Sequence, residues 1–274
     1  MEAGEPGSAA DAWADRLGDG EAVADRVALV VAHADDETLW AGSALPRFAD
    51  LLIVHATDGA PRDMRDADRL GIMSRSDYAA IRAVELDRAL ALLGVTSERH
   101  GYDIVDQETA LHLPALVDRL TDDLAGCALV MTHPYEGGHP DHDSLALAVR
   151  MAVDRLTRRG AAPAIVEFAC YHAVDGERYF GRFWADPACP ERCRTLPPEE
   201  RHRLGVAIAA HDSQAEVVGD WRPVAERWRA APAYDFTVPP PPGASLYDGF
   251  GWAMTSRRWR ELARAAMANE MACA

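Results

Sequence analysis

Along the chain, short apolar runs alternate with longer stretches whose apolar residues recur every three to four positions. Val27 to Ala32 is β-branched and apolar on both faces, the pattern of a central strand in a parallel sheet; LLIVHA (51–56), ALVMT (128–132) and AIVEFAC (164–170) repeat it. TLWAGSALPRFA, SDYAAIRAVELDRALALLGV and LHLPALVDRLTDDLAG, lying between these runs, have helical periods, and DSLALAVRMAVDRLTRRG after the third run has another. Strands alternating with helices predict an α/β fold: a Rossmann-like, mostly parallel sheet flanked by helices.

Residues 1–25, rich in Gly, Ala, Asp and Glu, read as a mobile tail or a loosely docked helix, with structure beginning at Arg26. Residues 26–274 read as one α/β domain. Within it 171–274 form a less regular C-terminal extension over the site: EERHRLGVAIAAHDSQ and SRRWRELARAAMA are helical, the segments between them are loop-like, and Pro239 to Pro242 are expected to be extended.

Composition narrows the function classes. The formal charge is −16 over 274 residues, with acidic side chains spread throughout, which disfavours a nucleic-acid backbone or an anionic membrane as partner. All 28 basic residues are Arg, so a Schiff-base Lys and the Lys of a Walker phosphate loop are both excluded. The five Cys are irregularly placed, which argues for a reducing cytoplasm rather than a disulfide framework; Cys189 and Cys193 read as loop thiols and Cys170 as a buried one. No run of 18 apolar residues and no apolar leader is present.

The candidate chemistry lies where two buried strands should end. VALVVAHADDE places His33, Asp35, Asp36 and Glu37 in the turn after the first strand, and ALVMTHPYEGGHPDH places His139, Asp141 and His142 at a helix start, with Pro140 suited to its first turn. A catalytic zinc takes three His or carboxylate ligands and keeps a position for water, whose pKa it lowers to about 7. His33, Asp36 and His142 could form that set. Asp35 is then free to take a proton, His139 to stabilise an oxyanion or protonate a leaving group, and Asp141 to orient His139.

AHADDE followed about a hundred residues later by GGHPDH resembles the LmbE/PIG-L family of zinc-dependent de-N-acetylases, with its AHPDDE and HPDH motifs. Thr57-Asp58-Gly59, IRAVEL, LGV and AAHDSQ are further matches. The resemblance implies zinc on His33, Asp36 and His142, Asp35 as general base, His139 as electrostatic partner or general acid, Asp141 as its orienter, and Arg82 as a substrate contact. Ala34 stands where the family has Pro. Gly137 stands where some members have Tyr, leaving Tyr135 as the nearest replacement.

Of the late aromatics, most are expected to pack under loops, whereas Tyr247, Phe250 and Trp252 could stack on substrate; His211 and Trp252 are candidate substrate contacts. The expected activity is hydrolysis of an N-acetyl or other N-acyl amide on an amino sugar carried by a small molecule, with Zn2+ or Fe2+ as metal. Two rivals are another metallohydrolase, such as a phosphoesterase or non-sugar amidase, using Arg82 or Arg62 and Arg65, and a non-catalytic binding protein of the same fold.

Overall fold

A computed structural model describes residues 8–219, 221–241, 243 and 245–273. Its elements run α1 (Ala9–Asp19), β1 (Val23–Val31), α2 (Asp36–Ala41), β2 (Phe48–Pro61), α3 (Arg65–Arg69), α4 (Arg75–Leu93), β3 (Glu98–Asp106), α5 (Leu113–Asp123), β4 (Leu129–Thr132), α6 (Pro140–Arg158), β5 (Ala164–Phe168), β6 (Tyr171–Val174), β7 (Glu177–Phe180), β8 (Arg192–Thr195), α7 (Pro198–Ile208), α8 (Ala215–Val218), β9 (Ala225–Ala230) and α9 (Ser256–Cys273). A seven-stranded sheet has the order β3-β2-β1-β4-β5-β9-β8. The first five strands are parallel, β9 is antiparallel to β5, and β8 is antiparallel to β9.

The apolar runs fill the middle of this sheet because side chains alternate between two buried faces. Val27, Leu29 and Val31 of β1 join a core with α4 and α7, and Ala28 and Val30 join one with α5, α6 and α9. All five are fully buried. Chain order reverses between β1 and β4, so the crevice beyond their carboxyl ends is where ligands collect in such sheets.

Several expectations need correction. The N-terminal segment is not a mobile tail over its described part: Ser8 and Asp11 form a reciprocal capping box, α1 follows, and its Ala14 and Leu17 are buried. Strand β1 starts at Val23, ahead of Arg26. The helix expected over TLWAGSALPRFA is the short α2, since Gly42 and Pro46 interrupt it and β2 begins at Phe48. The extension from residue 171 is more regular than expected, adding β8 and β9 to the sheet and a separate β6–β7 hairpin. Residues 1–7 of the expected tail and Pro242 of the expected extended run lie outside the described residues. Among the described residues, no helix is long and apolar enough to cross a membrane.

Candidate metal and active site

The turn after β1 holds itself without a proline. The His33 backbone N–H donates to Asp36 Oδ2 at 2.8 Å, the Asp35 N–H to the His33 carbonyl at 3.0 Å, and Thr57 of β2 donates its N–H and hydroxyl to the Ala32 carbonyl. After β4 the chain crosses Glu136-Gly137-Gly138 before α6. Asp143 draws this loop back onto the helix start by accepting from the Glu136 and Gly137 N–H groups and from the Tyr247 hydroxyl. Both glycines are required: Gly137 has φ +72°, and a Cβ on Gly138 would collide with the carbonyl oxygen of Tyr171. A tyrosine cannot replace Gly137, because Pro240 and Ser245 pack against its Cα.

Asp36 lies between two imidazoles. Its Oδ2 is 3.2 Å from His33 Nδ1, and its Oδ1 is 3.3 Å from His142 Nε2. The two contacts use different oxygens of the carboxylate, and among the described residues the donor sets that converge within 4.8 Å of one another include His33, His139 and His142, and His33, Asp35 and Asp36. His142 Nε2 is buried without a hydrogen-bond partner, an orphan that a metal would satisfy. His33 Nε2 lies 3.1 Å from Asp106 Oδ1 and 3.3 Å from Asp141 Oδ2, the carboxylate arrangement that fixes the tautomer of a metal-binding His through its other nitrogen. Asp35, Asp36, Asp106 and Asp141 are all buried against a single buried guanidinium, that of Arg82, so the site favours added positive charge. This cluster of buried His and Asp donors, with His33 shared by three of the converging sets, therefore fits a divalent metal.

His133 stacks on His142 with 3.8 Å between ring centroids but is a poor ligand. Its Nε2 accepts the Ala32 N–H, leaving Nδ1–H to face Cys170 Sγ at 3.3 Å. Burial pushes the His133 pKa down to about 3 and the Cys170 thiol pKa well up, so these are a neutral imidazole and a thiol.

Asp35 accepts from Arg82 Nη2 at 3.0 Å, while Arg82 Nη1 donates to the Gly59 carbonyl at 2.6 Å. Burial raises the Asp35 pKa above its ordinary value although Arg82 opposes the shift. His139 Nδ1 accepts the Asp141 N–H at 3.2 Å, which leaves Nε2 to carry the proton of the neutral ring. Burial, with His33 nearby, holds the His139 pKa well below the usual imidazole range.

Asp141 differs from the expected orienter of His139. Its side chain is 3.8 Å from His139 Nδ1 and instead accepts from the Gln107 and Thr109 N–H groups and the Thr109 hydroxyl, tying α6 to the end of β3. His211, expected to contact substrate, is buried against α2, with Nε2 3.3 Å from Thr38 Oγ1, and is not among the residues that line the cleft. Tyr135 donates to the Val238 carbonyl within the core, and Tyr247 is buried. Trp252 does line the cleft, edge-on to His139 at 5.0 Å. Sequence reasoning missed Asp106 and Gln107, because β3 is a polar edge strand without an apolar run.

These groups open into a cleft of about 470 Å³. Its lining includes the polar Asp63, Asp66, Asp106, Gln107 and Arg178 and the aromatic Trp40, Tyr171, Phe180 and Trp221. Arg65 pairs with Asp63, Arg69 with Asp66 and Glu216, Arg82 with Asp35, and Arg62 with Glu108. The positive charge expected to serve a phosphate is thus already committed to carboxylates.

Residues 28–153, which include every metal-type donor described above, match the family PIG-L: GlcNAc-PI de-N-acetylase. No curated protein matches the chain. Among solved structures, the fold is similar to that of the A40926 pseudoaglycone deacetylase Dbv21, at 17% identity over 75% of this chain and 96% of that one, with TM-score 0.58. It is also similar to a zinc-inhibited form of teicoplanin deacetylase Orf2 (15% identity, 77% and 99% covered, TM-score 0.55) and to a deacetylase–teicoplanin complex (16%, 75% and 97%, 0.55). At these identities the likeness bears on the fold, and it agrees with the mostly parallel sheet. Over residues 28–153, a little under half of its length, the chain is similar to the PIG-L (LmbE-like) de-N-acetylase family.

Proposed function

We propose that the protein hydrolyses the N-acyl amide of an amino sugar borne on a small molecule, releasing a carboxylate and a free amine. The observation that carries this reading is Asp35: a buried carboxylate held by Arg82 on the wall of the cleft, beside His33, Asp36 and His142, with all five residues inside the span that matches PIG-L. A divalent metal held by those three residues supplies Lewis acidity toward the acyl carbonyl and acidifies the attacking water. Asp35 accepts the proton of that water, while Arg82 keeps the carboxylate aimed. His139 offers its Nε2–H to the oxyanion of the tetrahedral intermediate, and the proton taken by Asp35 passes to the departing amine. Zinc and ferrous iron both suit two His and one Asp, and reconstitution distinguishes them. One structural neighbour is a zinc-inhibited form, so zinc belongs in that series at substoichiometric and excess amounts.

The test is amine release from a panel of N-acylamino sugars and their glycosides, with metal-loaded, chelated and Asp35→Asn protein in parallel. The expected result is amine only with metal and intact Asp35, and a fall in kcat of about 10² to 10⁴ for Asp35→Asn with its metal content unchanged. Full activity of Asp35→Asn, or of chelated protein, would overturn the mechanism.

A further inference from the structure

The aromatic part of the cleft lining bears on the acyl group. Trp40, Tyr171, Phe180 and Trp221 form a continuous aromatic surface: Trp40 lies 5.9 Å from Tyr171, 6.4 Å from Phe180 and 5.7 Å from Trp221 between ring centroids, and Phe180 lies 5.6 Å from Trp221. The surface is preformed, since the Trp221 ring packs against Gly181 where a Cβ would collide. Neither indole offers an N–H to a sugar hydroxyl, because that of Trp40 is committed to Asp36 Oδ1 at 3.0 Å and that of Trp221 is buried without a partner. The cleft is also lined by Asp63, Asp66, Asp106, Gln107 and Glu216, and the Arg178 guanidinium stands 5.6 Å from the Tyr171 and Phe180 ring centroids.

This wall also begins at the metal donors themselves. Trp40 touches Asp36 through its hydrogen bond, and the Tyr171 ring stands 5.5 Å from that of His142. The carbonyl carbon must sit at those donors, and the first carbon of the acyl chain is bonded directly to it. An aglycone is separated from the carbonyl by the amide nitrogen and part of the sugar ring. An apolar surface contiguous with the donors therefore meets the acyl chain first, and the single methyl of an acetyl group would leave most of it uncovered.

Resting on the reading of the site as an N-acyl hydrolase, we propose that the aromatic wall is an acyl-binding surface and that the preferred substrates carry a medium-length or aryl N-acyl group, with the amino sugar against the polar residues of the lining. Water adds to the carbonyl carbon, the C–N bond breaks, and the products are the medium-chain or aryl carboxylate and the amine, which takes the proton. Each fully buried methylene adds up to about fourfold to kcat/KM. Allowing for partial burial, N-hexanoylglucosamine should exceed N-acetylglucosamine by at least about tenfold.

The experiment measures kcat/KM of metal-loaded protein for N-acetyl-, N-butyryl- and N-hexanoylglucosamine and for their phenyl glycosides, in wild type, Phe180→Ala and Trp221→Ala. The hexanoyl-to-acetyl ratio within each variant is independent of how much of it folds. A ratio above ten that collapses several-fold in both variants is the expected result. A ratio near or below one would overturn the proposal while leaving the hydrolase reading intact, and so would a preference that follows the phenyl aglycone regardless of acyl length. Should no compound release amine, the hydrolase reading fails. The wall is then judged by tryptophan fluorescence of Asp35→Asn protein, where saturation by N-hexanoylglucosamine but not by N-acetylglucosamine at equal concentration supports it and equal response to both overturns it.

Discussion

Asp35 and Arg82 are both almost fully buried, so each is tolerable in the fold chiefly because of the other. Removing Arg82 leaves Asp35 unpaired near Asp36 and leaves the Gly59 carbonyl without its donor. Arg82→Ala should therefore cost about 3 kcal/mol in urea unfolding, and at least about 1 kcal/mol less when introduced into Asp35→Asn. Equal losses in the two backgrounds would show that the pair is not coupled. At this scale the sequence was informative wherever chemistry and spacing coincide: His33, Asp35, Asp36, His139 and His142 line the cleft as expected from two motifs at strand ends. It was less informative for side chains whose partners come from distant segments. Asp141 could not be seen to serve the Gln107–Thr109 backbone, nor His211 to face Thr38, because no local pattern encodes either contact.

Elements carry the site in two ways, through where strands end and through how closely loops approach one another. The apolar runs identified β1, β2, β4 and β5 because a strand buried on both faces must be apolar throughout. They could not identify β3, an edge strand with a mostly exposed pattern, nor β8 and β9, where burial alternates along polar residues such as Glu226 and Arg229. Asp106, at the end of β3, was lost with its strand. Close approach is clearest at Gly138, which brings the loop before α6 against β6. Gly138→Ala should move His139 and His142 together, lowering metal affinity at least about tenfold in a competition titration against a chelator, as supporting residues of metal sites commonly do. Unchanged affinity would mean that the loop can yield without moving the donors. The first helix offers a simpler case: Ser8→Ala removes a capping box and should lower stability by about 1 kcal/mol, with faster amide exchange confined to the first turn of α1.

For the molecule as a whole, stability should depend on pH through acids that the fold buries in neutral form. Glu226 on β9 is the clearest, since its carboxyl receives the Ser43 N–H at 2.8 Å and lies 2.5 Å from the Ser43 hydroxyl, while the nearby Arg47 and Arg194 both pair with Glu200 instead. Burial, only partly offset by Ser43, pushes the Glu226 pKa up to about 7 from its ordinary 4.5. Because the folded pKa is the higher one, the folded state binds the proton more tightly than the unfolded chain. The contribution is complete below about pH 4.5 and is lost as pH rises to about 7, a change of about 3 kcal/mol. Glutamine resembles the neutral acid, accepting from the Ser43 N–H and donating to its hydroxyl without a titrating proton. Glu167, also raised to about 7 by burial beside Arg229 and Tyr234, remains in both proteins and cancels from their difference. Urea unfolding of wild type and Glu226→Gln at matched pH should therefore give equal stabilities near about pH 4 and an advantage for Glu226→Gln that grows to about 3 kcal/mol by about pH 8. A difference that stays constant across that range would mean that Glu226 is ionised in the fold, with Arg47 or Arg194 turned toward it in place of Glu200.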